Sequence, residues 1–300
     1  MGRRFVGSGS GRGVSARLAA VLAVCILVLL AGVALFLAGC DPTLGEVREL
    51  VIDEPFVAGD VVDVGLSLQL GDLTLSPGAS GLVSGTVKYN VEDWEPDLSR
   101  GDDSLTIQQG STKLPAGEAA AIVNDWDLQL GQTPLYLDLD LGDVDGNFEL
   151  GGLSILRVDL RDAGTRTQIS FNAPNPSQME RFRYRAGAAV VSLERLANAN
   201  PDKFEFTGSS GSYSFDFSGG LRSDTVAEIT VTEGTVNITV PAGTRAEVKM
   251  KGTAVDLVAQ GAWTIEGGTY GTPALAEDDG GRTLTIELEM TGGSATLICE

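Results

Sequence analysis

The segment Leu135-Tyr136-Leu137-Asp138-Leu139-Asp140-Leu141 alternates leucine with polar residues, and similar segments recur as far as residue 240. Because successive side chains of a β-strand point to opposite faces, this alternation predicts strands with one apolar face. The later segments are Leu156–Leu160, Phe182–Tyr184, Phe204–Phe206 and Ile229–Val231. A glycine follows each segment, at intervals of 22, 23, 24 and 23 residues: Gly142, Gly164, Gly187, Gly211 and Gly234. This period predicts a solenoid in which each repeat forms one rung.

A single repeat of this kind is too small to fold alone. Burying about five apolar side chains contributes roughly 10 kcal/mol, whereas ordering about 23 residues costs on the order of 1 to 2 kcal/mol each in backbone entropy. Stacked rungs share hydrogen-bonded ladders and a continuous core, which offsets that deficit. The predicted fold is therefore all-β, a β-solenoid of about seven rungs.

The predicted solenoid repeat domain covers residues 126–300. Residues 61–125 are predicted to form an N-terminal β segment stacked on it, because the strictly alternating stretch Leu66–Leu75 is followed by shorter strands and turns. Residues 41–60 are predicted to be a linker. Residues 1–40 form a separate leader.

The composition excludes several classes of function. The chain has 21 Lys and Arg against 41 Asp and Glu, and it has no histidine. A strongly acidic surface repels nucleic acid, so nucleic acid is not an expected partner. Without histidine, serine or cysteine hydrolases with a histidine base and histidine zinc sites cannot be built. We expect a protein that is not an enzyme and that needs no cofactor.

The leader combines a basic start with a long apolar run. Residues 18–39 contain no charged residue, so the run is long enough to span a bilayer as one membrane or signal helix. Arg17 lies before the run and Asp41 after it. By the positive-inside rule, this asymmetry predicts that the N-terminus faces the cytoplasm and that the body lies outside.

The apolar run ends in Leu37-Ala38-Gly39-Cys40, which resembles the lipobox of bacterial lipoproteins. Small residues at positions 38 and 39 give a peptidase access to the backbone, and the Cys40 thiol is the nucleophile that accepts the lipid. The prediction is a cleaved signal peptide and a lipid anchor at Cys40 on the extracytoplasmic face of the bacterial membrane. The length of the run also permits an uncleaved signal anchor, which would hold the body on the same side.

Several short motifs of the body resemble one family. They are the strand-glycine-strand Leu66–Leu75, Tyr89-Asn90, Trp94-Glu95-Pro96, Asn124–Leu128 and Val236–Thr244. With the repeated rungs, they make the chain similar to the toast-rack domain proteins, which are related to the LiaF-like proteins of the cell-wall-active antibiotic response. The resemblance implies a membrane-associated, extracytoplasmic β-solenoid without known catalysis, which in some members is tied to envelope-stress signalling.

Five arginines are the candidate partner-binding residues. Residues between the apolar positions of a strand face outward, which places these side chains on the solvent side of two adjacent rungs. They are Arg157, Arg161, Arg181, Arg183 and Arg185. One interpretation is a ladder of ion pairs with acids of neighbouring rungs, which fixes the register. The other is a basic stripe that docks an anionic polymer or an acidic partner.

The densest group of acidic residues comprises Asp138, Asp140, Asp143 and Asp145. Calcium binds six to eight oxygens that converge on one point, and these residues are weak candidates for part of such a set. Their spacing matches neither the EF-hand loop nor the glycine-rich calcium repeat. We therefore predict solvated carboxylates and no metal site.

The segment Asn172–Ser177 interrupts the repeats, because Pro174 and Pro176 cannot serve a central ladder. It is predicted to leave the solenoid, either as a spacer or as a binding loop.

The sequence thus predicts a non-enzymatic extracytoplasmic lipoprotein with a β-solenoid that binds or senses. Its expected partner is an envelope protein or a cell-wall polymer. A structural or adhesin-like surface scaffold is the alternative.

Overall fold

The computed structural model describes residues 44–56, 59–111, 113, 121–252, 255–276 and 280–300. The predicted leader helix and the lipobox with Cys40 lie outside these residues. The β body is one compact unit, formed by Leu44–Thr112 and Gly117–Glu300. In the part of the chain that is described, no helix has both the length and the apolar character needed to cross a membrane.

Strands dominate the secondary structure of the described residues, which confirms the all-β prediction. The first are β1 (Leu44–Glu54), β2 (Val62–Pro77), β3 (Val83–Val91), β4 (Asp97–Arg100), β5 (Ser104–Gln108), β6 (Asn124–Leu130) and β7 (Leu135–Glu149). Next come β8 (Ile155–Asp162), β9 (Arg166–Ser170), β10 (Met179–Ala186), β11 (Val190–Glu194), β12 (Pro201–Asp216) and β13 (Thr225–Val240). The remainder are β14 (Ala246–Gly252), β15 (Val255–Gly261), β16 (Thr264–Glu266), β17 (Thr269–Gly271), β18 (Leu284–Met290) and β19 (Gly293–Cys299). A four-residue helix, α1 (Leu196–Ala199), lies before β12.

Most of the strands pair in two parallel ladders, and β1, β3, β4, β16 and β17 pair antiparallel beside them. Ladder A contains, in spatial order, β5, the first halves of β2 and β7, β8, β10, the first halves of β12 and β13, β18 and β14. Ladder B contains β6, the second halves of β2 and β7, β9, β11, the second halves of β12 and β13, β19 and β15. The long strands β2, β7, β12 and β13 each continue from one ladder into the other.

Two predicted boundaries are wrong. The segment 41–60, predicted to be a linker, contains β1, which pairs antiparallel with β3. The repeat array does not begin at residue 126 either, because β2 pairs in register with β7 in both ladders. The N-terminal β segment is therefore continuous with the repeats, because β2 extends both ladders beyond β7.

The apolar residues of the repeats form the core. The side chains at alternate positions of β7, including Leu137 and Leu139, are buried, as predicted. In the middle rungs the core is aromatic, with Phe206 in edge-on contact with Tyr213 and Phe215 at ring-centroid distances of 4.9 and 4.8 Å. Edge-on aromatic pairs contribute beyond the area that they bury.

One predicted core residue is not in the core. Leu156 was expected to point inward, but it is only partly buried, and Ile155 is fully buried in its place. Leu135 pairs with Ile155 and Tyr136 pairs with Arg157, so Leu156 is the extra residue of a β-bulge. A bulge shifts the alternation by one residue, which a count of apolar positions does not reveal.

The glycines that follow the repeats lie where the chain turns from ladder A into ladder B. Gly211 and Gly234 are register partners on β12 and β13. A Cβ atom on Gly211 would lie 2.3 Å from the carbonyl oxygen of Ala189, and one on Gly234 would lie 2.6 Å from that of Gly211. Side chains are excluded here because adjacent rungs approach through their backbones.

We therefore expect Gly211→Ala to lower the free energy of unfolding by about 1 to 3 kcal/mol, the usual cost of overpacking. Gly243→Ala is the matched control, because a Cβ there would meet nothing within 4 Å. Chemical denaturation of both variants measures the difference. Equal stabilities for the two would show that the rungs tolerate a side chain at this turn.

The segment Asn172–Ser177 does not leave the array, contrary to its prediction. Asn175 is buried, and its amide nitrogen donates to the carbonyl oxygens of Ile155 (2.7 Å) and Ala199 (3.1 Å). Its side-chain oxygen accepts from the backbone N–H groups of Ile155 (3.3 Å) and Ser177 (2.9 Å). One side chain thus links three successive turns of the chain at a corner of the array.

Asn198 and Asn200 continue this corner on the next rung. Asn198 donates to the carbonyl oxygen of Phe171 at 2.9 Å, and Asn200 donates to that of Ser177 at 3.0 Å. Both asparagines are buried. Their amides therefore satisfy backbone groups that the two prolines and the turn leave without a ladder partner.

A buried carboxylate lies at the end of β8, where the chain turns from ladder A into ladder B. Asp162 is 3% exposed, and it accepts hydrogen bonds from the Tyr184 hydroxyl (2.7 Å), the Thr167 hydroxyl (2.8 Å) and the Gly164 N–H (2.9 Å). Burial, and then the nearby Asp162 carboxylate, raise the pKa of Tyr184 well above its usual value. Tyr184 is thereby kept as a neutral hydrogen-bond donor.

The spatial order of the rungs departs from chain order at one end. β18 and β19 pair with β13 on one side, and with β14 and β15 on the other. The segment 284–299 therefore lies between two rungs that precede it in the sequence.

Candidate functional site

The outward side chains of ladder A stack in columns, because its strands are parallel and in register. The first column contains Tyr136, Arg157, Arg181 and Lys203. The second contains Asp138, Asp159, Arg183, Glu205 and Glu228. The third contains Asp140, Arg161, Arg185, Thr207 and Thr230. We call the surface made by these three columns the charged face; all five predicted arginines lie on it, on the adjacent strands β8 and β10.

The centre of the charged face is a network of ion pairs. Arg181 contacts Asp159 at 2.8 Å, and Arg183 contacts Glu205 at 2.8 Å and Asp159 at 3.8 Å. Lys203 bridges Glu205 at 2.9 Å and Glu228 at 3.1 Å. The predicted ladder of opposite charges is therefore present for these residues, and it links four neighbouring strands.

Arg157 extends the network toward β2 and β7. Its guanidinium lies 3.5 Å from Asp63, and 3.6 Å from both Asp138 and Asp159. It also stacks over the Tyr136 ring, 4.2 Å from the ring centroid. A guanidinium on an aromatic face is held in place by a cation–π interaction, so Arg157 has little freedom to bind a partner.

The pKa shifts of these residues are those expected when the positive and negative charges of the network stabilise each other. The hydrogen bond to Asp159 raises the pKa of Arg181, and hydrogen bonds to Glu205 and Glu228 raise the pKa of Lys203. Burial acts to raise the pKa of Glu205, but hydrogen bonds from Lys203 and Arg183 outweigh it, so the pKa is lowered. Both signs of charge therefore stabilise each other at neutral pH.

Arg161 and Arg185 differ from the other arginines. They are register partners on β8 and β10, and both are exposed. Asp140 is the neighbour of Arg161 on β7, and Thr207 is the neighbour of Arg185 on β12. Within the described chain, neither guanidinium has a carboxylate at ion-pairing distance. The structure thus separates the five predicted arginines into three that are paired and two that are not.

The weak calcium candidates do not form one group. Asp138 and Asp140 lie on ladder A, whereas Asp143 and Asp145 follow the turn at Gly142 and lie on ladder B. On ladder B, Asp145 is in register with Asp72, and Asp72 with Asp125. Burial, and then the charges of Asp125 and Asp145, raise the pKa of Asp72. Among the residues for which side chains are described, no group of three or more carboxylates is arranged to hold a metal ion.

The fold and the charged face define a class of protein: an all-β repeat body with a patterned polar surface on stacked parallel strands. Residues 54–193 match the family described as the N-terminal domain of toast_rack, DUF2154. The match of this stretch to the family model confirms the resemblance to the toast-rack domain proteins that the sequence motifs indicated. The relation to LiaF-like proteins remains a prediction.

Three solved structures are similar to the chain. One is a proposed cell adhesion protein from Clostridium sporogenes, with 14% identity, a TM-score of 0.44, and coverage of 85% of this chain and 100% of the other. A proposed adhesin from Bacteroides fragilis has 12% identity, a TM-score of 0.40, and coverage of 86% and 100%. A proposed adhesin from Parabacteroides merdae has 11% identity, a TM-score of 0.37, and coverage of 86% and 100%. No curated protein matches the chain.

Proposed function

We propose that this protein is a non-enzymatic, lipid-anchored binding protein on the extracytoplasmic face of the bacterial membrane. In this proposal, Cys40 carries the lipid, and the two ladders are the faces of a β-solenoid that presents the charged face to an envelope component. A cell-wall polymer or an envelope protein is the proposed partner, with a role in the envelope-stress response as one use of such binding.

One observation supports the binding function above all. The register of β8 and β10 stacks the exposed residues Arg161 and Arg185 beside each other, and like charges directly opposite each other on neighbouring strands are destabilising. A surface that needed stability alone would gain from an acid at one of these positions. Binding residues commonly retain such a local cost because their function requires it.

The anchor is tested by metabolic labelling of cells with a radioactive fatty acid. We expect the wild-type chain to carry label, and Cys40→Ala to carry none. Cys25→Ala is the matched control, because this cysteine lies within the apolar run and not at its end. Label that persists in Cys40→Ala, or is absent from the wild type, would contradict the anchor.

The binding function is tested with the purified full-length protein in detergent and an isolated cell-envelope fraction. We expect co-sedimentation that weakens as salt increases, because surface charges are screened within about 8 Å at physiological ionic strength. Arg161→Gln/Arg185→Gln is expected to abolish it. Co-sedimentation that is unchanged in this double variant would exclude Arg161 and Arg185 as the binding residues of the charged face.

A structural or adhesin-like scaffold is the second candidate function. The pairing of Arg157, Arg181 and Arg183 supports it, because these residues join neighbouring rungs and are not free for a partner. For a pure scaffold we expect anchoring at Cys40 without any envelope component bound at Arg161 and Arg185. The two experiments above therefore separate the candidates.

A further inference from the structure

We propose that Arg161 and Arg185 form a two-guanidinium clamp for a single phosphate group carried on a polyhydroxylated chain. This inference rests on the proposed binding function and names the ligand class of the same surface. It depends on three features of the charged face: the position of the two free guanidinium groups, the hydroxyl groups beside them, and the acids that limit the site.

The first feature is the spacing of the two arginines. They face the same side of adjacent parallel strands, whose backbones are separated by about 4.8 Å. Two guanidinium groups at this spacing can contact one anion from two sides. A carboxylate presents its two oxygens in one plane to one guanidinium fork, whereas a phosphodiester holds two non-bridging and two ester oxygens in a tetrahedral arrangement that two guanidinium groups can approach from different sides. The geometry therefore favours phosphate.

The second feature is the continuation of the same column. Beyond Arg185 the outward residues are Thr207 on β12 and Thr230 on β13, both exposed. They line a shallow hollow of about 320 Å³ together with Arg185. Threonine hydroxyls both donate and accept, so they suit the hydroxyl groups of a sugar or polyol that flanks the phosphate.

The third feature is the acidic border of the hollow. Glu205 and Glu228 line it on the side of the second column, where Lys203 pairs with both. A ligand with closely spaced negative charges would be repelled by the acidic body around the clamp. The surface therefore suits an isolated phosphate between neutral, hydroxyl-bearing units, and it disfavours a continuous polyanion such as nucleic acid.

The test is isothermal titration of the full-length protein in detergent with glycerol phosphate, and with a polymer of defined length in which neutral oligosaccharide units separate successive phosphates. We expect binding of both, tighter for the polymer. Arg161→Gln and Arg185→Gln are each expected to weaken binding by about tenfold or more, because a hydrogen bond to a charged group contributes about 1.5 to 3 kcal/mol. Arg166→Gln is the matched control, an exposed arginine on ladder B, and it should bind as the wild type does.

Three results would overturn the clamp: no heat of binding with wild type, an equal loss for Arg166→Gln, or unchanged binding in both Arg161→Gln and Arg185→Gln. Poly-glutamate bound as tightly as the phosphate polymer would also overturn it, because the selectivity for phosphate would be absent. If the envelope fraction still co-sediments with the wild type while phosphate does not bind, the ligand class fails and the binding function stands.

The source of the phosphate is distinguished with lipid vesicles. Binding to phosphatidylglycerol vesicles that depends on Arg161 and Arg185 would assign the clamp to lipid headgroups. Binding of the soluble polymer, with no such dependence for vesicles, would assign it to an envelope polymer. Each outcome supports the phosphate clamp and identifies what carries the phosphate.

Discussion

Asn175→Ala is expected to lower the free energy of unfolding by about 3 kcal/mol or more. The substitution removes four hydrogen bonds at once, and it leaves the carbonyl groups of Ile155 and Ala199 buried without that donor. An unsatisfied buried polar group costs about 1 to 3 kcal/mol, so two such groups exceed the effect of a typical substitution. Urea denaturation monitored by far-UV circular dichroism measures the loss.

The control for this prediction is Asn147→Ala. Asn147 is an exposed asparagine on β7, where the same substitution changes only the surface. We expect it to shift stability by no more than about 0.5 kcal/mol. Similar stabilities for Asn175→Ala and Asn147→Ala would mean that water replaces the Asn175 amide without cost, and the proposed role of this corner would be wrong.

Tyr184→Phe is expected to cost about 2 kcal/mol at neutral pH. It removes the hydroxyl that donates to the buried Asp162 carboxylate at 2.7 Å, a hydrogen bond to a charged group, and keeps the ring. Tyr136→Phe is the control, because the Tyr136 hydroxyl has no hydrogen bond within the described chain. We expect this control to leave stability unchanged.

The same variant predicts a dependence on pH. The pKa of Tyr184 in the folded protein lies above that of the unfolded chain, whose reference value is 10.0. Its contribution is therefore fully present below pH 10 and is lost as the pH rises above 10, where the unfolded tyrosine ionises first. The stability difference between wild type and Tyr184→Phe should shrink over that range. A difference that stays constant up to pH 12 would show that Tyr184 is not held neutral by the fold.

Much of this fold could be predicted from local patterns, because the alternation along each strand and the interval between repeats are both regular in the sequence. Alternation along a strand determined which face is buried, so residues such as Leu137, Phe182 and Ile229 were placed correctly. The repeat interval also indicated that acids of neighbouring rungs could lie beside the arginines, and Arg183 is found between Asp159 and Glu205.

The wrong predictions share a physical cause. Each concerns a feature that depends on how neighbouring strands pair, which the sequence pattern of a single repeat does not show. The bulge at Leu156 changes the phase of a strand by one residue. Strand β1 was missed because it is an edge strand with most side chains exposed, so it lacks an apolar alternation that marks a buried face. The position of β18 and β19 was not predictable, since a repeat interval does not say which rungs are adjacent.

The candidate site was predictable in composition but not in detail. The sequence indicated a group of five arginines on two rungs. It could not separate Arg161 and Arg185 from Arg157, Arg181 and Arg183, because pairing depends on side-chain reach across strands. Asn175 was also missed: it bonds to groups 20 and 24 residues away, and no local signal marks it.

The position of residues 284–299 between β13 and β14 has a consequence for biosynthesis. A ribosome releases β14 and β15 before the segment that must separate them from β13, so these two strands are synthesised before their parallel neighbours β18 and β19. A chain that stops near residue 280 would leave the apolar edges of two rungs open to proteases and chaperones. This end of the protein therefore becomes stable only when translation is complete. We expect prematurely terminated chains to be recognised and degraded.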